Sequence, residues 1–293
     1  GFDSGSLLGH YLRHGGEPGN DPHPLFDSAR YAAQLSGPQP RKQTLLGHYL
    51  ALGEEQNLKP NPLFDPAYYA KQSGSGPSDH LFHYVSMGGR AGLSPSCLFD
   101  SALVLGQMPR EANERVSPLE YYFQSGSEMK EGPHSLFFAS WYQSEHPEVA
   151  DSGLDALSHF IEIGAQRGYD PHPLFNSRWY REAHPGYLDD EIPAVFHFLE
   201  SGEALGLAPN PFFNAESYAA QASVTLRPGE SPFSHFCRRG MDEGLISSRL
   251  FPFCFQFFRD QNPGRRNRSV NPAGGYLVDE YRDRSAPEAE IRI

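Results

Sequence analysis

Apolar and polar positions recur along this chain with a long period. The phenylalanine of a Leu-Phe-Asp tripeptide and its variants falls at Phe26, Phe64, Phe99, Phe137, Phe175, Phe213 and Phe251, at intervals of 38, 35, 38, 38, 38 and 38 residues. A His-aromatic pair marks a second series at His10, His48, His83, Tyr121 (the exception), His159, His197 and His235. From each member of the second series to the next phenylalanine is always 16 residues. Two markers in step define a tandem repeat, and a unit of this length reads as a pair of short helices that must stack on its neighbours.

The residues around each phenylalanine predict where the first helix of a pair starts. Asp27, Asp65, Asp100, Asn176 and Asn214 follow it, and such side chains accept a first-turn N–H at the N-cap. Phe then sits at N′ and packs on N4, which is Tyr31, Tyr69, Val104, Tyr180 or Tyr218, a hydrophobic staple. Phe137 and Tyr142 keep this register, with Phe138 in place of the cap and Ser140 as its substitute. The second helix carries the histidine. Counting His as zero, positions −2, +1, +2 and +5 (Leu46, Tyr49, Leu50 and Gly53, for example) form its apolar stripe. The histidines then lie ~150° away, facing a second interface or a groove. Glycine holds +5 at Gly15, Gly53, Gly88, Gly126, Gly164, Gly202 and Gly240, which implies that another backbone comes too close for a side chain. Four residues later Gly19, Asn57, Gly92, Gly168, Gly206 and Gly244 suit a left-handed C′ residue, with Lys130 the exception, and a proline follows.

The fold class is therefore all-α: an α-solenoid of stacked two-helix repeats over residues 1–258, with residues 259–293 an irregular tail or linker. It opens on a lone second helix at His10 and closes on an aromatic cap of Phe253, Phe255, Phe257 and Phe258. The segments Asn61-Pro-Leu-Phe-Asp-Pro-Ala-Tyr-Tyr and Asp170-Pro-His-Pro-Leu-Phe-Asn-Ser-Arg-Trp-Tyr, with the Leu-x-His-aromatic and Gly-x-x-x-Gly elements after them, resemble tandem repeats that flank catalytic domains in bacterial glycosyltransferases and polysaccharide-synthesis proteins. That resemblance covers roughly residues 1–258 and implies a part that is not itself catalytic. It also implies that Ile291-Arg292-Ile293 could open a following transferase domain. A chain that starts on Gly1 and stops on a strand-like alternation reads as a piece of a longer polypeptide.

Charge and composition narrow the function classes. A net charge of −12 argues against nucleic acid or anionic lipid as main partner, and no apolar run has the length of a spanning helix. Three cysteines without metal-type spacing fit a reducing, cytoplasmic setting, although a Cys237–Cys254 disulfide stays open. No catalytic motif, cofactor fingerprint or metal set stands out.

The candidate ligand-binding residues are the histidine row, His10, His48, His83, His159, His197 and His235, with Trp141 and Trp179 at N3 of their helices. A row of imidazoles beside aromatics could hold a glycan. Alternatively each imidazole caps a carbonyl of the proline-rich junction, and this structural reading has the greater weight because a repeat makes many equal sites. Core packing likewise outweighs sugar stacking for the two tryptophans. The structural repeat residues are Phe26, Phe64, Phe99, Phe137, Phe175 and Phe213 with Gly53, Gly88, Gly126, Gly164, Gly202 and Gly240. The leading expectation is a non-catalytic scaffold for a protein partner or an adjacent domain. A glycan-binding module comes second, and a glycosyltransferase fragment without its catalytic domain third.

Overall fold

A computed structural model describes residues 19, 21–36, 44–74, 79–126, 129, 132–189, 191–221, 225, 226, 230–240, 243 and 245. The leading helix at His10, the terminal aromatic cluster, Cys254 and the tail 259–293 lie outside the described residues. The chain gathers into two compact bodies, Gly1–Pro133 and His134–Ile293. Among the described residues there are helices and turns and no strand.

In the first body the helices are α1 (Ser28–Ala33), α2 (Leu45–His48), α3 (Pro66–Ser73), α4 (His80–His83), α5 (Ser101–Leu105), α6 (Arg110–Asn113) and α7 (Pro118–Ser125). The second holds α8 (Ala139–Glu145), α9 (Ala156–His159), α10 (Ser177–Ala183), α11 (Ala194–His197), α12 (Ala215–Ala219) and α13 (Pro232–His235). α2, α4, α9, α11 and α13 each run on into a five-residue π-turn ending on the repeat glycine, such as Tyr49–Gly53 and Phe160–Gly164. That wide turn was not expected from the sequence. Units also differ in the link between their two helices, which contains α6 in one and a 3-10 turn, Pro147–Asp151, in another.

Local capping is as the sequence requires. Asp27, Asp65, Asp100, Asn176 and Asn214 accept the amides of Arg30, Tyr68, Leu103, Trp179 and Ser217. Each staple closes, with Phe26–Tyr31, Phe64–Tyr69, Phe137–Tyr142, Phe175–Tyr180 and Phe213–Tyr218 ring centroids 5.2 to 5.7 Å apart. α8 departs from expectation. Phe138 caps it with no side-chain bond, and Ser140 sits inside the first turn instead of replacing the cap. At the far ends, Leu58, Leu93, Tyr169, Leu207 and Leu245 return their amides to the carbonyls of Gly53, Gly88, Gly164, Gly202 and Gly240. Asn57 (φ 54°), Gly92, Gly168 and Gly206 take the left-handed residue such a cap needs.

Adjacent units are tied through the backbone. The N-cap amides of Asp27, Asp65 and Asp100 donate to the carbonyls of Pro60, Pro95 and Pro133 in the first body. Those of Phe138 and Asn176 donate to Pro171 and Pro209 in the second. Side chains repeat the link, since Asn61 and Asn210 donate to the Leu25 and Leu174 carbonyls at 2.8 and 2.6 Å. Buried rings fill the core of each body, Phe26, Tyr31, Tyr49, Phe64 and Tyr69 among them in the first and Phe137, Tyr142, Phe160, Phe175 and Tyr180 in the second.

The apolar stripe of the second helix needs correction. Position +1 is buried and +5 faces the core, but +2 lies on the flank: Leu50 is 43% exposed and Val85 and Ile161 are half-buried. The reason is the ring of the preceding helix's tyrosine, which occupies the seam formed by positions 0, +1 and +5.

Candidate functional site

The histidine row sits on that seam and not on a second interface. His48, His83, His159, His197 and His235 each share a hydrogen bond through Nδ1 with the hydroxyl of Tyr31, Tyr69, Tyr142, Tyr180 and Tyr218, at 2.7, 2.7, 2.8, 2.9 and 2.7 Å. The partner is thus a side-chain hydroxyl in the same repeat, where the sequence suggested a junction carbonyl. His197 additionally meets the backbone carbonyl of Tyr187, and burial, followed by the nearby His184, lowers its pKa. Burial pushes the Tyr31 and Tyr69 phenols up to about 12 and raises those of Tyr142, Tyr180 and Tyr218 as well. These phenols stay neutral.

The same hydroxyl explains the glycine. A Cβ built on Gly53, Gly88, Gly164, Gly202 or Gly240 would run into the hydroxyl of Tyr31, Tyr69, Tyr142, Tyr180 or Tyr218. The close neighbour is a side chain, and the expectation of an approaching backbone is corrected. Gly126 is different. Its obstacle is the Tyr122 ring, whose Cδ2 would lie 2.7 Å away. Phe, Tyr, His and Gly are one construction: a stapled tyrosine passes its hydroxyl over a glycine to an imidazole one turn back.

Junction side chains, of which the sequence marks Asp21-Pro-His23-Pro and Asp170-Pro-His172-Pro as repeat junctions, form a second repeated device. Asn61 and Asn210 accept the amides of Leu63 and Phe212 through Oδ1. His23, His134 and His172 accept those of Leu25, Leu136 and Leu174 through Nδ1. An imidazole nitrogen here does the work of an amide oxygen in closing the turn. Burial holds His172 down at about 3, so it stays neutral as that role demands. His23 also approaches Glu120, Nε2 to Oε1 3.2 Å. Burial alone would raise the Glu120 carboxyl, but bonds from His23 and Ser117 hold it at about 2.

A third device is imperfect, and instructive for that. Glu54, six residues past His48, accepts the His80 amide and Nδ1 at 2.8 Å each and the Leu81 amide at 3.2 Å, capping the next unit's second helix. Glu203 holds the same register, but Pro232 stands where His80 stood and has no N–H to give. Its Oε1 is buried without a hydrogen-bond partner, and burial raises the carboxyl's pKa against a bond from Ser231.

Of the two tryptophans, Trp179 is half-buried with its ring edge-on to His184, 5.7 Å between centroids. Trp141 is 9% exposed and turns that remainder into a cleft that also takes in His146 and Tyr169. Burial, with Glu203 adding to it, raises the pKa of the Cys237 thiol. Among the described residues no group of three His, Cys, Asp or Glu side chains could hold a metal ion, and no helix is long and apolar enough to cross a membrane. No protein-family model, curated protein or solved structure matches this chain.

Proposed function

We propose that this chain is a non-catalytic scaffold in which the helix pairs of each body stack as a tight α-solenoid, presenting a surface to a protein partner or to an adjacent enzyme domain, in bacterial surface-polysaccharide synthesis. One observation carries the reading: the repeated polar side chains bond one another inside the repeats, five tyrosines to five histidines. The tyrosine hydroxyls occupy those Nδ1 atoms, and three of the five imidazoles, His159, His197 and His235, are buried, which favours a structural role for the row over a glycan ladder. The amide-to-proline-carbonyl links between units support stacking, and the contact of His23 with Glu120, two units on, supports a tight pitch. Large apolar side chains on one second helix of the first body, α4 with its π-turn, Phe82 at 68% and Met87 at 59% exposed, support a partner-facing surface.

The test pairs two assays. A photo-crosslinking residue at Phe82 or Met87, in cells making the full-length protein, is expected to give adducts with one recurrent polypeptide or with another domain of the same chain. The purified 293-residue chain is expected to leave nucleotide-sugar donors intact. Donor turnover by this chain, or the absence of adducts at both positions, would overturn the proposal.

A further inference from the structure

A cleft of about 300 Å³ opens in the second body among the end of α8, the turn Gly168–Asp170 and the junction Asn210–Phe212. Trp141, Tyr169 and Phe212 give it aromatic surface, and Glu145 and Asp170 give it carboxyls. Its walls are pre-set. His146 lies flat on Tyr169, centroids 3.8 Å apart and 9° from parallel, while the Tyr169 hydroxyl donates to Glu148 at 3.2 Å. The Asp170 carboxylate is anchored by the Ser177 amide at 2.7 Å. The site is peculiar to this place in the chain, because where Tyr169 stands other units have Leu58, Leu93, Leu207 and Leu245, so that the tryptophan at the equivalent position, Trp179, precedes a leucine there.

We infer that this cleft receives a primary ammonium group, the lysine side chain of a protein partner, held by the Asp170 and Glu145 carboxyls against the Trp141, Tyr169 and Phe212 rings. Ring faces attract cations electrostatically, more strongly where water is displaced. No Lys or Arg is among the residues lining the cleft. Exposed Arg167 reaches the Tyr169 hydroxyl. Burial lowers the pKa of His146, so near pH 7 that imidazole is neutral and does not oppose a cation. Burial also pushes the Asp170 carboxyl up to about 6, the behaviour of a carboxylate without a positive neighbour. An anionic ligand would meet two carboxyls in the lining. The volume is at the lower end of the roughly 300–1,000 Å³ of small-molecule sites, which suits one extended side chain better than a glycan. Only the source of the lysine rests on the scaffold proposal; the ammonium chemistry does not.

The test reads Trp141 fluorescence in the W179F variant, where it is the sole tryptophan. The probes are Nα-acetyl-lysine methylamide, its neutral analogue Nα-acetyl-norleucine methylamide, and methyl α-glucopyranoside. Saturable binding of the lysine probe is expected, at least tenfold tighter than the norleucine probe. D170N should weaken it by tenfold or more, and E145Q by a smaller factor. The carboxamide oxygen introduced by D170N can still accept the Ser177 amide, and unchanged circular dichroism and unfolding midpoint would show that the fold is kept. Equal binding of lysine and norleucine probes, no saturation by the lysine probe, preference for the glucoside, or indifference to D170N would each overturn the inference. Donor-sugar turnover would defeat the scaffold proposal and leave this titration untouched.

Discussion

Among the described residues, five repeats keep Tyr, His and Gly together, and one does not. Where Tyr31, Tyr69, Tyr142, Tyr180 and Tyr218 meet their histidines, the second helix widens into a π-turn over the glycine. In the unit built on Phe99, Val104 replaces the tyrosine and Tyr121 the histidine, and α7 runs as a regular helix from Pro118 to Ser125. That helix has a reciprocal capping box between Ser117 and Glu120 at its start. The difference shows what the pair does. A phenol hydroxyl bonded to an imidazole goes with a helix opened by one residue per turn, a distortion found where a side chain intrudes. Without the intruder the helix closes.

The largest effect should come from filling the space under the hydroxyl. G164A should cost about 1–3 kcal/mol of unfolding free energy in urea titrations, the range for overpacking a tight site. Y142F should restore part of that loss, since it removes the atom the new methyl meets. At Gly126 the corresponding rescue should fail, because there the Tyr122 ring itself is the obstacle. Equal rescue at both glycines would break the comparison.

Removing one partner alone is expected to cost less. Y142F leaves the buried Nδ1 of His159 without its hydrogen bond, worth about 1–2 kcal/mol by the same titration. The junction allows a related contrast through pH. Folded His172 stays neutral down to about 3, whereas the unfolded chain protonates it below its ordinary 6.5. The stability from this group is present above pH 6.5 and lost as pH falls from there toward 3, by at most about 1.4 kcal/mol per pH unit. H172N, which installs the residue found at Asn61 and Asn210, should flatten that acid slope while preserving the turn. An unchanged slope would mean that His172 is not buried neutral.

The smallest effect, and the sharpest, is to give the exceptional unit its missing pair. V104Y alone should destabilise, having no imidazole to meet. V104Y/Y121H should recover about 1 kcal/mol relative to the sum of the single changes. Recovery by Y121H of a valine-containing chain would contradict the pairing.

Much of this was legible in the sequence, and what was not follows one rule. Caps, staples and C-terminal turns depend on residues at most a few positions apart, so Asp65 with Pro66, or Gly206 with Leu207, declares them directly. The tyrosine–histidine bonds span 14 or 17 residues and a change of helix. Their signal was nevertheless present. Val104 and Tyr121 are the two departures from their series, and both fall in one unit, as expected of side chains that need each other. The glycine misled because a small residue reports closeness and not what is close. Leu50 was placed in the apolar stripe by a regular helical wheel, which the π-turn and the seated tyrosine ring do not obey. In the cleft, Trp141 was visible as a candidate and His146 closes the same helix, but Tyr169 and Asp170 belong to the end of another helix and its junction. Only the fold brings them together.

The most direct test is a double-mutant cycle on Tyr142 and His159, using Y142F, H159Q and the double variant in urea unfolding, with Tyr142 crossed against His197 as the control. A coupling of about 1–2 kcal/mol is expected within the repeat and close to zero across repeats. No coupling between Tyr142 and His159, or equal coupling in both crosses, would contradict the tyrosine–histidine pairing.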